Sequence, residues 1–308
     1  MTPACSTGSL AAGEPLIGSA PPARAWLCLE QPGPWGRKAL RQSHLDPQLG
    51  KRIERLAERY GVRAALIRRP GRHADQADQA DQAGQAGHGS PKLLVAHTHP
   101  AGSWLLSGRL EAPEEVLELD WEALAAGEPT VHPRLAVDPE PVLLVCTNGR
   151  RDTCCARLGR PVALSAAARR PERVWEVTHT SGHRFAPTTV LLPSGHLHGR
   201  VIDAAGLLDL AGSGRLALDG WRGRSTWPEA GQAAEQAVRR TLGVDGLDDL
   251  VVADGEAGWL VRHRDGRAWQ VSVTSTQSGE RGESCGKEPR PIRRFVASVP
   301  EPVPTVVG

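Results

Sequence analysis

The stretch Pro141-Val142-Leu143-Leu144-Val145-Cys146-Thr147-Asn148-Gly149-Arg150-Arg151-Asp152-Thr153-Cys154-Cys155 reads as a buried strand, a charged loop and the start of a helix. The apolar run ends at Cys146, which puts a thiol at the carboxyl end of a strand, the usual place for a site in an α/β sheet. Eight residues separate Cys146 from Cys155. The helix is expected over 155–168, with Leu158, Val162, Ala163 and Ala166 on one side. A thiolate at its start is favoured by the helix dipole and by unpaired N–H groups.

Beyond that helix the pattern continues as a strand over 173–178, then strands over 188–192 and 196–202. Pro193-Ser194-Gly195 makes the tight turn between the last two. A helix over 203–212 closes the series β-α-β-β-β-α, the order of the thioredoxin-like fold. The first half repeats it: a strand near 26–30, a helix over 47–60, strands at 62–68, 92–97 and 103–110, and a helix over 113–125. Residues 74–90, built on repeats of Asp-Gln-Ala, cannot bury a core and read as a disordered insertion.

The expected fold class is therefore α/β (α+β), two tandem thioredoxin-like units with a small C-terminal α+β appendage. The expected boundaries are an N-terminal arm (1–20), a first unit (21–135), a second unit (136–220) and the appendage (221–308). Within the appendage a helix is expected over 228–242, with strands near 248–254, 258–263 and 267–273. A Gly- and charge-rich loop over 277–291 carries Cys285.

His179-Thr180-Ser181-Gly182-His183 follows Cys155 after 23 residues. Two thiolates and two imidazoles make one full ligand set for a [2Fe–2S] cluster or for a single tetrahedral zinc. Ser181-Gly182 argues for a loop rather than a helix between the histidines, with Gly182 allowing close backbone approach to a metal. Cys154 is a sterically possible substitute for Cys155. Arg150, Arg151 and Asp152 are expected around the ligands, as hydrogen-bond donors or internal ion pairs. Neutral imidazoles in place of thiolates raise a cluster's reduction potential, so the activity expected is one-electron transfer. The alternatives are a zinc-stabilised binding module and a thiol-based redox enzyme using Cys154 or Cys155.

The other candidates read as ordinary structure. Cys28 lies in an apolar strand, and Cys5 and Cys285 stand alone. His97 and His99 mark a strand end, and His196 and His198 share a strand face without partners. Six cysteines in 308 residues are few for a disulfide scaffold. A net charge of +2 gives no electrostatic case for nucleic acid. No apolar run suits a membrane span and no secretory signal is expected, so the expected location is cytoplasmic.

The stretches 144–161 and His179-Thr180-Ser181-Gly182-His183-Arg184-Phe185-Ala186-Pro187 resemble the sucrase/ferredoxin-like family of thioredoxin-like [2Fe–2S] ferredoxins. Trp26-Leu27-Cys28-Leu29-Glu30-Gln31-Pro32-Gly33-Pro34-Trp35-Gly36 and Trp221-Arg222-Gly223-Arg224-Ser225 are similar to it as well. The resemblance implies a [2Fe–2S] cluster held by Cys146, Cys155, His179 and His183, and it favours Cys155 over Cys154. It further implies a ferredoxin-like electron carrier with a reductase and an acceptor as redox partner proteins, rather than a catalyst with its own substrate. The family often has His where Asn148 stands and Gly where Ser181 stands. Sucrase activity finds no support, because no carboxylate pair stands in a context that suggests glycoside hydrolysis.

Overall fold

The computed structural model describes residues 4–71 and 90–304, so the expected insertion, apart from Ser90, lies outside the described residues. The first half runs β1 (Ala25–Glu30), α2 (Pro47–Tyr60), β2 (Val62–Arg68), β3 (Lys92–His97) and β4 (Trp104–Arg109). It ends in a 3-10 turn (Pro113–Glu118) and α3 (Trp121–Ala126). Before it lies α1 (Cys5–Ala11). The second half runs β6 (Val142–Cys146), α4 (Thr153–Arg169), β7 (Val174–Val177), β8 (Thr189–Leu192), β9 (His196–His198) and α5 (Ala204–Gly212). A short β5 (Ala136–Val137) precedes it and β10 (Trp221–Arg224) follows.

Each half has the expected order, and each pairs its strands in the same way. In the first, β1 runs parallel to β2 and antiparallel to β3, which pairs antiparallel with β4. In the second, β6 runs parallel to β7 and antiparallel to β8, which pairs antiparallel with β9. The edge strands β2 and β7 then pair antiparallel, Ile67 opposite Val177 and Arg68 opposite Glu176. The result is one ten-stranded sheet in the order β10-β9-β8-β6-β7-β2-β1-β3-β4-β5.

Strand alternation divides the core. Leu27 and Leu29 face α2 and its neighbours, while Leu143 and Val145 face α4 and α5. The residues of opposite parity, Trp26 and Cys28 with Val142, Leu144 and Cys146, belong to one core that spans both halves and includes Cys155. The rest of the chain holds α6 (Glu229–Leu242), then β11 (Leu250–Gly255), β12 (Gly258–His263), β13 (Ala268–Val271) and β16 (Glu301–Pro302) in a four-stranded sheet. A separate ribbon is made by β14 (Val273–Gly282) and β15 (Pro289–Ala297).

Several expectations are corrected. The arm contains a helix, α1, whose buried face is carried by Ser6 and Ser9 and so gives no apolar period. The helix expected over 113–125 is broken at Leu119, and Asp120 caps the second piece by accepting from the Ala123 N–H. Helix α4 begins two residues early because Asp152 caps it. Its buried face passes through Gly159, leaving Leu158 exposed. Strand β9 stops at His198, since Arg200 turns with φ 55°. The loop expected over 277–291 is mostly the β14–β15 ribbon, with Cys285 at its tip. A two-stranded ribbon open to solvent needs no apolar alternation. Among the described residues no helix is long and apolar enough to cross a membrane.

The β2–β7 seam carries a buried ion pair. Arg68 Nε donates to Glu176 Oε2 at 2.7 Å, and the Thr147 hydroxyl donates to the same oxygen at 2.8 Å. The Arg68 guanidinium lies 4.0 Å over the Trp35 ring. The variant Arg68→Met leaves the Glu176 carboxylate buried without its partner, and chemical denaturation should register a loss of about 3–5 kcal/mol. A loss under about 1 kcal/mol, the scale of an exposed pair, would show that the seam does not depend on this contact.

Candidate functional site

Cys146 closes β6 and Cys155 lies in the first turn of α4, joined by a loop that Asn148 organises. The Asn148 Oδ1 accepts from the Arg150 and Arg151 N–H groups, and its Nδ2 donates to the Gly36 carbonyl of the first half. Gly159 sets the depth of the helix: a Cβ there would overlap the Cys146 carbonyl oxygen. Helix α4 thus packs directly on the end of β6, and both thiols are buried.

The histidines sit on the loop after β7. Ser181 and Gly182 both take left-handed conformations, φ 59° and 66°, and His183 opens a 3-10 turn. Gly is the common family residue at the Ser181 position, which fits this backbone. The reason for Gly182 differs from the one expected. A Cβ at this position would overlap the Arg222 guanidinium, so the close approach is that of an arginine.

Among the four expected ligands the structure shows two close contacts. The rings of His179 and His183 stack with centroids 4.8 Å apart, and Cys155 Sγ lies 3.2 Å from His183 Nδ1. A hydrogen bond from the Cys155 thiol and backbone groups of Thr180 and Asn148 outweigh burial at Cys146 and bring its pKa down to about 7. The same hydrogen bond, then burial, pushes the Cys155 thiol up. Burial, with Arg63 and His183 nearby, holds His179 down at about 2, and burial holds His183 at about 4. Both imidazoles are therefore neutral; His179 Nδ1 accepts from the Ser181 N–H at 3.3 Å, and His183 Nδ1 faces the Cys155 thiol.

Two guanidinium groups, the half-buried Arg63 and the fully buried Arg222, flank the quartet. Arg63, from β2 of the first half, donates from Nη2 to Ser181 Oγ at 2.9 Å. Burial first, tempered by the Cys146 charge, lowers its pKa to about 10. Arg222, on β10, donates to the carbonyls of Thr180 and Ser181 at 3.3 and 3.1 Å, and to the Ser19 carbonyl. Its pKa falls to about 9 through burial. Arg151 reaches within 3.4 Å of His179 Nε2, whereas Arg150 is exposed. His179 and His183 also line a cavity of about 590 Å³ with Arg37, Arg151 and Arg184 on its wall.

A second group was not expected. Cys5 and Cys285, which read as lone cysteines, meet Asp152 and Cys154, and the four ligand atoms all lie within 4.8 Å of one another. Such a set can hold a metal ion. Asp152 is thus the helix cap and a member of this group, and Cys154 turns toward it rather than toward His183. Only the unusual Cys154-Cys155 pair hints at it in the sequence. Three of the other candidate histidines have structural contacts. His97 stacks on Trp104, while His196 and His198 bond the carbonyls of Leu247 and Ala217.

The fold is mixed α/β, one sheet built of two β-α-β-β-β-α halves, with Cys146, Cys155, His179 and His183 beside the seam between them. A family model described as Sucrase/ferredoxin-like matches residues 16–223, more than half of the 308-residue chain, and the chain belongs to the sucrase/ferredoxin-like family. The match includes Cys146, Cys155, His179 and His183 and leaves out Cys5 and Cys285. No curated protein and no solved structure matches the chain.

Gly159→Ala should force α4 off β6 and cost about 1–3 kcal/mol in urea unfolding, the range for overpacking a close contact. An unchanged midpoint would show that the helix is not held against the Cys146 carbonyl.

Proposed function

We propose that this protein transfers single electrons through a [2Fe–2S] cluster held by Cys146, Cys155, His179 and His183. The observation that carries the reading is the approach of two buried thiols, the buried His183 and the half-buried His179 at the ends of β6 and β7. A mononuclear ion would ask for all four donors at a tetrahedral edge from one another. Among the described residues, the group gathered that tightly is Cys5, Asp152, Cys154 and Cys285 instead. A wider set suits a binuclear centre better than a single zinc.

When bound, such a cluster supplies a one-electron couple whose potential is raised by histidine ligation and by nearby positive charge. The chain's own residues prepare that setting. Arg63 and Arg222 bring two cationic groups close to the two thiols, offsetting thiolate charge in a dry core. Arg222 also fixes the backbone of the histidine loop through Thr180 and Ser181. The half-buried His179 stands on the cavity wall, the side from which a reductase or an acceptor protein would approach. The cytoplasm, where thiols stay reduced, is the setting this chemistry suits.

Anaerobically purified protein should carry two irons per chain, absorb in the visible and give an EPR signal after dithionite. Cys146→Ser and His183→Ala should each abolish or alter that spectrum, while Cys154→Ser keeps it. Colourless protein without iron, or an unchanged spectrum in both ligand variants, would reject the proposal. Arg63→Gln should lower the reduction potential by roughly 50–100 mV, the size of one charge several ångströms away at an effective dielectric of about 20. Protein-film voltammetry measures this, and an unshifted potential would remove Arg63 from the tuning.

A further inference from the structure

We propose that Cys5, Asp152, Cys154 and Cys285 form a second, mononuclear metal site that binds one zinc ion and clips the ends of the chain together beside the histidine loop. The Sγ atoms of Cys5 and Cys154 are 3.6 Å apart, those of Cys5 and Cys285 3.5 Å, and those of Cys154 and Cys285 3.2 Å. Asp152 Oδ2 lies 3.7 Å from the Cys5 sulfur. A tetrahedral zinc with Zn–S of about 2.3 Å sets its sulfurs about 3.8 Å apart, so all three spacings fall a few tenths short of that edge. They are far from the disulfide bond length of about 2.05 Å. Three sulfurs and one carboxylate oxygen at these distances suit one small tetrahedral cation, and zinc takes Cys sulfur and Asp oxygen in that geometry.

The surroundings are those of a built site. Asp152 and Cys154 are buried. The Asp152 carboxylate is fixed by backbone donors, the Cys154 N–H to Oδ1 and the Cys285 N–H to Oδ2, each at 2.8 Å. Each oxygen retains a lone pair for a metal. The Ser6 hydroxyl donates to the Cys154 sulfur at 3.2 Å, the kind of contact that orients a ligating thiolate. Cys154 also sits in the first turn of the seventeen-residue α4.

The ligands come from three places: α1, the start of α4 and the tip of the β14–β15 ribbon. That tip supplies Glu283, Ser284 and Lys287 to the wall of the cavity onto which His179 and His183 open. Helix α1 in turn packs on the 3-10 turn that carries His183. Zinc at this point therefore holds the cavity wall in place. The assignment does not depend on the cluster, because the two sites share no ligand.

Metal analysis of the full-length protein by plasma mass spectrometry tests it. One zinc per chain is expected beside whatever iron is bound. Cys5→Ala and Cys285→Ala should each reduce zinc to trace levels without changing the iron content or the visible spectrum. Cys146→Ser should do the reverse. Cobalt exchanged into the protein should show thiolate charge-transfer and tetrahedral ligand-field bands that vanish in Cys285→Ala, a variant at a half-exposed ribbon tip whose folding is checked by circular dichroism. Limited proteolysis near 283–288 should accelerate when zinc is lost. Zinc retained in the double variant Cys5→Ala/Cys285→Ala, a disulfide among the three cysteines in peptide maps, or iron in place of zinc would overturn the proposal.

Discussion

The antiparallel contact between β2 and β7 is the constraint on which the rest depends. Both are edge strands of their own half, and each would otherwise expose a row of unpaired N–H and C=O groups. Their pairing at Ile67–Val177 and Arg68–Glu176 converts two five-stranded arrangements into one continuous ten-stranded sheet. It continues past the strand end, where the Thr178 N–H donates to the Leu66 carbonyl and the Thr178 hydroxyl accepts from the Leu66 N–H. The histidine loop starts at the next residue. The first half, which lacks the cysteine–histidine set, thereby becomes one wall of the site.

That arrangement explains the electrostatics. Arg63 comes from the first half, and Arg222 from β10 at the far end of the second, yet both reach the same loop. Burying two guanidinium groups costs several kcal/mol each unless hydrogen bonds and negative charge repay it. Carbonyls at Ser19, Thr180 and Ser181 satisfy Arg222, and its pKa is lifted in part by Cys146 and Cys155. The Cys146 sulfur, whose pKa is brought down to about 7, is the negative group that acts most strongly on both cations.

Much of this is legible in the sequence because it is local. The run Val142–Cys146 is apolar and ends at a polar loop, so its strand and the position of Cys146 follow from pattern alone. Gly182 signals a loop, but the reason, the approach of Arg222 from 40 residues away, requires the tertiary structure. Leu158 looks like core by period, while the buried face goes through Gly159, because close packing on the Cys146 carbonyl favours the residue without a side chain. The Cys5–Cys285 contact spans 280 residues, and no spacing rule reaches that far.

Successive helix residues point about 100° apart, so Cys154 and Cys155 cannot face one common centre. With Asp152 fixing the first turn, Cys155 faces His183 and Cys154 faces Cys5 and Cys285. A single helix start thus supplies a sulfur to each of two groups. The choice between C-x7-C and C-x8-C is then not a matter of spacing, since either loop is long enough. It is decided by helical phase, which the cap at Asp152 sets and which a helix start expected at residue 155 leaves open.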